Sequence, residues 1–167
     1  MLILLTIIET RTYTSLQIIG KMKPCKLGMA CDHAGYEMKE ALSKYLQEKG
    51  YSVSDFGTNS SESVDYPDFA HPLASAVESK TVDYGISICG SGNGINMTMN
   101  KHQGVRAALC WTGEIAVLAR LHNNANACSL PARFISLDTA KEIVDMFLST
   151  EFEGGRHQKR IDKIAVR

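Results

Sequence analysis

At 167 residues, with 44% hydrophobic and 22% charged positions, the chain is the size of one globular domain with its own core and is short for two. A formal net charge of zero argues against a nucleic-acid or membrane-surface partner captured by bulk electrostatics. The cysteines Cys25, Cys31, Cys89, Cys110 and Cys128 are odd in number and show no CxxC or zinc-ligand spacing, which implies reduced thiols in a cytoplasm.

Residues 2–8 form a brief apolar run, but no basic residue precedes it and Glu9 interrupts it. A secretory signal needs a charged lead and a longer apolar core, and a membrane span needs roughly 20 apolar residues. Met22-Lys23 stands just before the first convincing strand. Residues 1–22 therefore read as an N-terminal extension, disordered or added by a non-native start, and residues 23–167 as the domain.

Residues 26–31 are a short apolar strand, followed by the loop Asp32-His33-Ala34-Gly35. Met38, Leu42, Tyr45 and Leu46 recur at helical spacing, and Gly50 closes that helix. Residues 52–56 alternate as a strand, and 57–65 are polar and loop-like. Tyr66-Pro67-Asp68 opens a second helix, proline being tolerated in a first turn, with Phe69, Leu73, Ala76 and Val77 as its buried stripe. The third strand is 84–89, a short helix spans 95–100, and a fourth strand spans 105–110. A helix from Thr112 or Gly113 carries Ile115, Val117, Leu118 and Leu121 as its apolar face; 125–130 makes a fifth strand. Asp138 caps a helix with Ala140, Ile143, Val144 and Phe147 inside, and 153–166 reads as a charged helix with a thin strip of Ile161, Ile164 and Ala165.

This alternation implies βαβ units: a Rossmann-like three-layer α/β/α sandwich on a five-stranded parallel sheet. In such sheets ligands bind beyond the carboxyl ends of the strands. Asp32-His33, residues 89–94 and the turn Cys110-Trp111-Thr112 all fall there.

The most informative segment is Tyr-Gly-Ile-Ser-Ile-Cys-Gly-Ser-Gly-Asn-Gly at residues 84–94. A strand delivers Cys89 onto Gly90, Gly92 and Gly94, whose backbone N–H groups can turn inward; positive backbone dipoles lower a thiol's pKa. A buried cysteine followed by an ordinary glycine turn fits this segment equally well, because one GxGxG is a weak signal. Asp32 and His33 read as ligand groups or as a helix-capping aspartate beside a surface histidine. His122, ahead of Asn123, ends a helix, where a histidine is commonly a dipole partner. His71 and His102 have no partner pattern and read as surface groups. Arg156 and Arg160, four apart, would project from one helix face and grip a phosphate together, although a solvated charged face is the usual explanation of such a run. Arg133, in the loop after the fifth strand, would reach the same end of the sheet. There is no Walker A lysine, and the glycines follow the third strand, which disfavours a dinucleotide. No metal-ligand set is visible, and no cofactor is implied.

Taken together, Cys31-Asp32-His33, Asp65-Tyr66-Pro67, Ile88-Cys89-Gly90-Ser91-Gly92-Asn93-Gly94, Asn100-Lys101, Val105-Arg106-Ala107, His122-Asn123 and Glu153-Gly154-Gly155-Arg156-His157 resemble the type B ribose-5-phosphate isomerases, whose wider group includes galactose-6-phosphate isomerase subunits. The resemblance covers about residues 26–166. It implies a metal-independent aldose–ketose isomerase of the non-oxidative pentose phosphate pathway, working through a cis-enediolate in a cytoplasmic homodimer or tetramer with shared sites. By resemblance, Cys89 is the base, His122 of the partner subunit assists ring opening, and Ser91 and Asp32 complete the catalytic set. Gly90, Ser91, Gly92, Asn93 and Gly94 face the enediolate oxygen. Asp32, His33 and Asn123 hold sugar hydroxyls, Tyr66 lines the pocket, and Arg133, Arg156 and Arg160 bind phosphate. Some members carry a glutamate base at the position of Ile95 and lack the cysteine; here the cysteine branch is implied. The rival readings are a hexose 6-phosphate substrate (galactose or allose 6-phosphate), a non-catalytic sugar-phosphate-binding subunit, and, lowest, a redox-sensing cysteine domain.

Overall fold

Strands buried on both faces must be apolar or small along their length, and β1 (Lys26–Cys31) and β3 (Tyr84–Cys89) meet that demand, each with five consecutive buried residues. With β2 (Ser52–Asp55), β4 (Ala107–Leu109) and β5 (Ala127–Pro131) they form an all-parallel sheet in the order β2-β1-β3-β5-β4. The computed structural model describes residues 25–166, so the expected extension at 1–22 lies outside the described residues. The helices are α1 (Tyr36–Glu48), α2 (Tyr66–Glu78), α3 (Asn93–Met99), α4 (Gly113–Asn123) and α5 (Leu137–Ser149), followed by a 3₁₀ turn (Gly155–His157) and the short α6 (Gln158–Ile161).

The sheet's two faces are built differently. Leu27, Met29, Cys31, Ile86 and Ile88 face α1, α4 and α5, packing with Leu42, Leu46, Ala116, Ile143 and Phe147. On the opposite face Ala30, Cys89 and Ala127 meet Leu73 and Val77 of α2 and Ile95 and Met99 of α3. Each such leucine or isoleucine contributes about 1.5–3 kcal/mol on full burial. The second face is small so that its helices can come close: a Cβ on Gly28 would sit 2.5 Å from Leu73 Cδ1. The Ser87 and Ser129 hydroxyls, neighbours in register, satisfy each other there at 2.7 Å.

From β1 the chain first turns outward to β2 and then crosses back to β3, so the β1/β3 carboxyl ends form a topological switch point where a crevice opens. That crossing positions the site.

Four expectations need correction. The inner face of α4 is Gly113, Ala116, Ala119 and Arg120, while Leu118 is 42% exposed. Small residues let α4 close onto α5, where a Cβ on Gly113 would collide with Met146. Arg120 is tolerated inside because it donates to Thr150 O, Asn124 Oδ1 and Tyr84 Oη at 3.0–3.1 Å. The cap of α5 is Ser136, whose Oγ accepts the Thr139 N–H at 3.1 Å; Asp138 lies in the first turn. The tail at 153–166 is no continuous helix, because Gly154 and Gly155 adopt φ of +72° and +56°. Finally, β4 is a three-residue edge strand, shorter than 105–110, and β5 runs to Pro131.

Candidate active site

The register aligns Cys31 with Ile88 and Cys89 with Pro131, which sets Asp32, Cys89 and Pro131 abreast at the carboxyl end of the sheet. Cross-strand bonds continue past the strands: Asp32 N–H donates to Ile88 O (3.2 Å), Ala132 N–H to Cys89 O (2.9 Å) and Arg133 N–H to Gly90 O (3.0 Å). A Cβ at Gly90 would lie 3.3 Å from Arg133 Nε, so the glycine lets the guanidinium group settle over the loop.

Cys89 is 4% exposed, backed by the hydrocarbon between the sheet and α2 and α3. Its Sγ accepts the Gly92 N–H at 3.2 Å, a bond made possible by the left-handed Gly92 (φ +75°). Ser91 Oγ accepts the Asn93 N–H at 3.4 Å. The Tyr66 ring lies on Gly94, where a Cβ would come within 2.5 Å of Cζ. Tyr66 is 36% exposed. Ile95 is fully buried in the core beside them. Asp32 closes the turn before α1, Oδ1 accepting the N–H groups of Ala34 (2.9 Å) and Gly35 (3.1 Å). His33 Nδ1 accepts the Val64 N–H at 3.3 Å, which ties the 57–65 loop to this end and, in the neutral ring, leaves the proton on Nε2.

Other thiols are pushed away from ionisation. Burial takes Cys31 up to about 12, outweighing the nearby Lys39 ammonium. Cys128 is raised by its hydrogen bond with Cys110 and by burial, and Cys25 by burial and by Asp83.

A second cluster occupies the amino end of the sheet. The 11 residues of α4 run back from the end of β4 toward the start of β5, a span of roughly 16 Å. His122 and Asn123, in its last turn, therefore stand a helix length from the Cys89 of their own chain. His157 stacks on His122 with ring centroids 4.3 Å apart and planes 7° from parallel. Glu153 Oε2 lies 3.8 Å from Nε2 of each ring, and Arg156 Nε donates to His157 Nε2 at 3.4 Å. Desolvation, then His122 and Arg156, lower the His157 pKa. Arg156 and Arg160 are exposed at this end, whereas Arg133 sits with Cys89. The predicted residues thus form two groups within one chain: Asp32, His33, Tyr66, Cys89, the 90–94 loop and Arg133; and His122, Asn123, Arg156 and Arg160.

Three further features emerge only in the fold. Glu153 and His157 join His122; their i, i+4 spacing was the one visible signal. Lys39 is fully buried, paired with Asp55 and with Glu40 (3.0 Å), while the other Asp55 oxygen accepts the Gly57 N–H at 2.8 Å; in the sequence it looks like any helix-surface lysine. His71 and His102, which had no partner pattern, meet at 3.0 Å, with His102 also 3.4 Å from Glu78.

A thiol, a glycine loop and a carboxylate at the switch point of a parallel sheet define a doubly wound α/β protein of the small-metabolite enzyme class. The family model described as ribose/galactose isomerase matches residues 27–164. The chain is 44% identical over 141 residues to ribose-5-phosphate isomerase B of Escherichia coli, covering 84% of this chain and 95% of that protein. Two crystal structures are similar: a ribose 5-phosphate isomerase of Thermotoga maritima (50% identity, TM-score 0.83, 84% and 97% of the two chains) and ribose-5-phosphate isomerase B of Mycoplasma genitalium with bound ribulose-5-phosphate (45%, 0.80, 83% and 93%). The chain belongs to the ribose/galactose isomerase family.

Proposed function

We propose that the chain interconverts ribose 5-phosphate and ribulose 5-phosphate, and that each site is assembled from the carboxyl-end group of one copy and the amino-end group of a second. The observation that carries this is the Gly92 N–H on Cys89 Sγ at the β1/β3 switch point, beside Asp32. Similarity to the relatives above supports the substrate.

His122 of the second copy assists opening of the furanose ring. The Cys89 thiolate then removes the C2 proton of the open-chain aldose. The C–H electron pair becomes the C1–C2 double bond, and the carbonyl pair moves onto oxygen as the cis-enediolate. Backbone N–H groups of the 90–94 loop and the Ser91 hydroxyl stabilise that oxygen. The proton of the C2 hydroxyl passes to the C1 oxygen, and return of the first proton from the Cys89 thiol to C1 gives the ketose, so Cys89 ends as it began. Asp32 and His33, with Asn123 of the second copy, hold sugar hydroxyls against the Tyr66 wall. Arg133, with Arg156 and Arg160 of the second copy, grips the phosphate, and this remote binding aligns the reacting carbons.

Exposed apolar groups on the chain support pairing of copies: Leu118 on α4, Trp111 (52% exposed) and Phe134 (75%). Among the described residues no helix is long and apolar enough to cross a membrane, and the unpaired thiols favour the reducing cytoplasm.

Complementation tests this reading. Cys89→Ala and His122→Ala proteins, each inactive alone, are unfolded and refolded together. Shared sites restore about one quarter of wild-type activity, since half the dimers are mixed and half their sites intact. A mixture as inactive as its components refutes the sharing. Turnover of a hexose 6-phosphate faster than ribose 5-phosphate refutes the pentose assignment.

A further inference from the structure

The amino-end cluster holds a donor set that ring opening does not need. His122 Nε2 and His157 Nε2 each stand 3.8 Å from Glu153 Oε2, and the three residues bring one ligand atom apiece within 4.8 Å of one another. These gaps are too long for hydrogen bonds. They approach the ~3.4 Å between neighbouring ligand atoms around a tetrahedral zinc with bonds of about 2.1 Å. Two imidazoles and one carboxylate are also the ligand chemistry of zinc sites that keep a fourth position open.

The backbone preorganises the set. Glu153 N–H donates to Leu121 O at 3.1 Å, which fastens the tail to the last turn of α4, and His157 N–H donates to Gly154 O at 3.1 Å. The stack keeps the two rings adjacent, with His157 only 4% exposed, but its near-parallel planes send the two in-plane lone pairs side by side, so the more exposed His122 ring turns out of the stack to share a cation.

We propose that His122, Glu153 and His157 bind a divalent cation of the zinc type, and that the bound cation inhibits the enzyme by occupying His122 Nε2. The exposed Arg156 swings off His157 Nε2 to admit it. The inhibitory half of this inference rests on the ring-opening role given to His122; the binding half does not.

The test uses the full chain carrying Cys89→Ala, which removes the thiol at the other end of the sheet as a competing ligand, titrated with zinc chloride by calorimetry at pH 7.5. About one zinc per chain should bind with a Kd on the order of micromolar. Adding Glu153→Gln or His157→Gln should each weaken binding about tenfold or more. With Cys89 present, zinc should inhibit reversibly by EDTA, and Glu153→Gln should raise the half-inhibitory concentration by a similar factor. No binding in the Cys89→Ala chain, or binding indifferent to both added substitutions, overturns the site. Zinc bound as expected by a chain that fails to isomerise ribose 5-phosphate upholds the metal site and refutes the isomerase reading instead.

Discussion

The two ends of this sheet carry comparable numbers of chemical groups but hold them by different means. At the carboxyl end the backbone does the holding: strand register sets Asp32 beside Cys89, and main-chain N–H groups fix Arg133 and the Cys89 sulfur. At the amino end the backbone fastens only the tail, through Glu153 N–H on Leu121 O, and the functional groups themselves meet through side chains: the His122–His157 stack, the nearby Glu153 carboxylate, and the Glu78 carboxylate that accepts the Gly104 N–H. A backbone-built site is rigid and sensitive to Cβ atoms and to φ. A side-chain-built one is sensitive to charge and pH.

The sharpest break between the ends is Cys89→Ala. Loss of the base should lower kcat about 10³-fold, while removing one buried sulfur costs only about 1 kcal/mol of stability. A steady-state assay beside a thermal melt checks both. Turnover within tenfold of wild type would remove Cys89 from the chemistry.

Two alanine substitutions at left-handed glycines compare the ends directly. Gly92→Ala meets the φ strain and also drives a Cβ into Leu109 and to 3.2 Å from the Leu130 carbonyl carbon. It should cost about 2 kcal/mol and displace the N–H on the sulfur, lowering kcat about 10²-fold. Gly154→Ala has nothing within 4 Å of the new Cβ, so backbone strain alone acts, about 1–3 kcal/mol at φ +72° and ψ −138°, with kcat within threefold of wild type. Equal kcat losses would mean that the ends are not built differently.

The same difference explains what could be read in advance. β1 and β3 were legible to the residue, because buried parallel strands leave an unbroken apolar run ending at a loop. Cys89 with its glycines was legible for the same reason, since local sequence makes the whole arrangement. The inner face of α4 was not. Periodicity favours Ile115, Val117, Leu118 and Leu121, whereas packing against α5 selected Ala116, Ala119 and a hydrogen-bonded arginine. Nor was the His122–Glu153–His157 set, which joins groups some thirty residues apart through a glycine-broken tail. Lys39 was invisible because its partner Asp55 belongs to another strand–helix unit.

Arg156→Ala should act on binding. The side chain is exposed and supports no core, so the melt should be unchanged, and losing one charged contact to phosphate should raise KM about tenfold with kcat within threefold. An unchanged KM would take Arg156 out of the phosphate site and leave it only its contact with His157.

The smallest effect lies in the strap between α2 and the loop before β4. Gly104 N–H donates to Glu78 Oε1 at 2.7 Å, and this bond, with His102 beside it, holds the Glu78 carboxyl below its ordinary 4.5. A carboxyl with a folded pKa below its unfolded one binds protons more readily in the unfolded chain. Its contribution is therefore complete above pH 4.5 and lost as pH falls through the lower folded value. Glu78→Gln should accordingly flatten the acid limb of stability without changing the urea midpoint's pH dependence between pH 6 and 8. Urea midpoints taken from pH 3 to 8 on both proteins measure this. Parallel acid limbs would mean that the strap carries no charge-dependent stability, and the contrast between a backbone-held end and a charge-held end would then rest on the histidine stack alone.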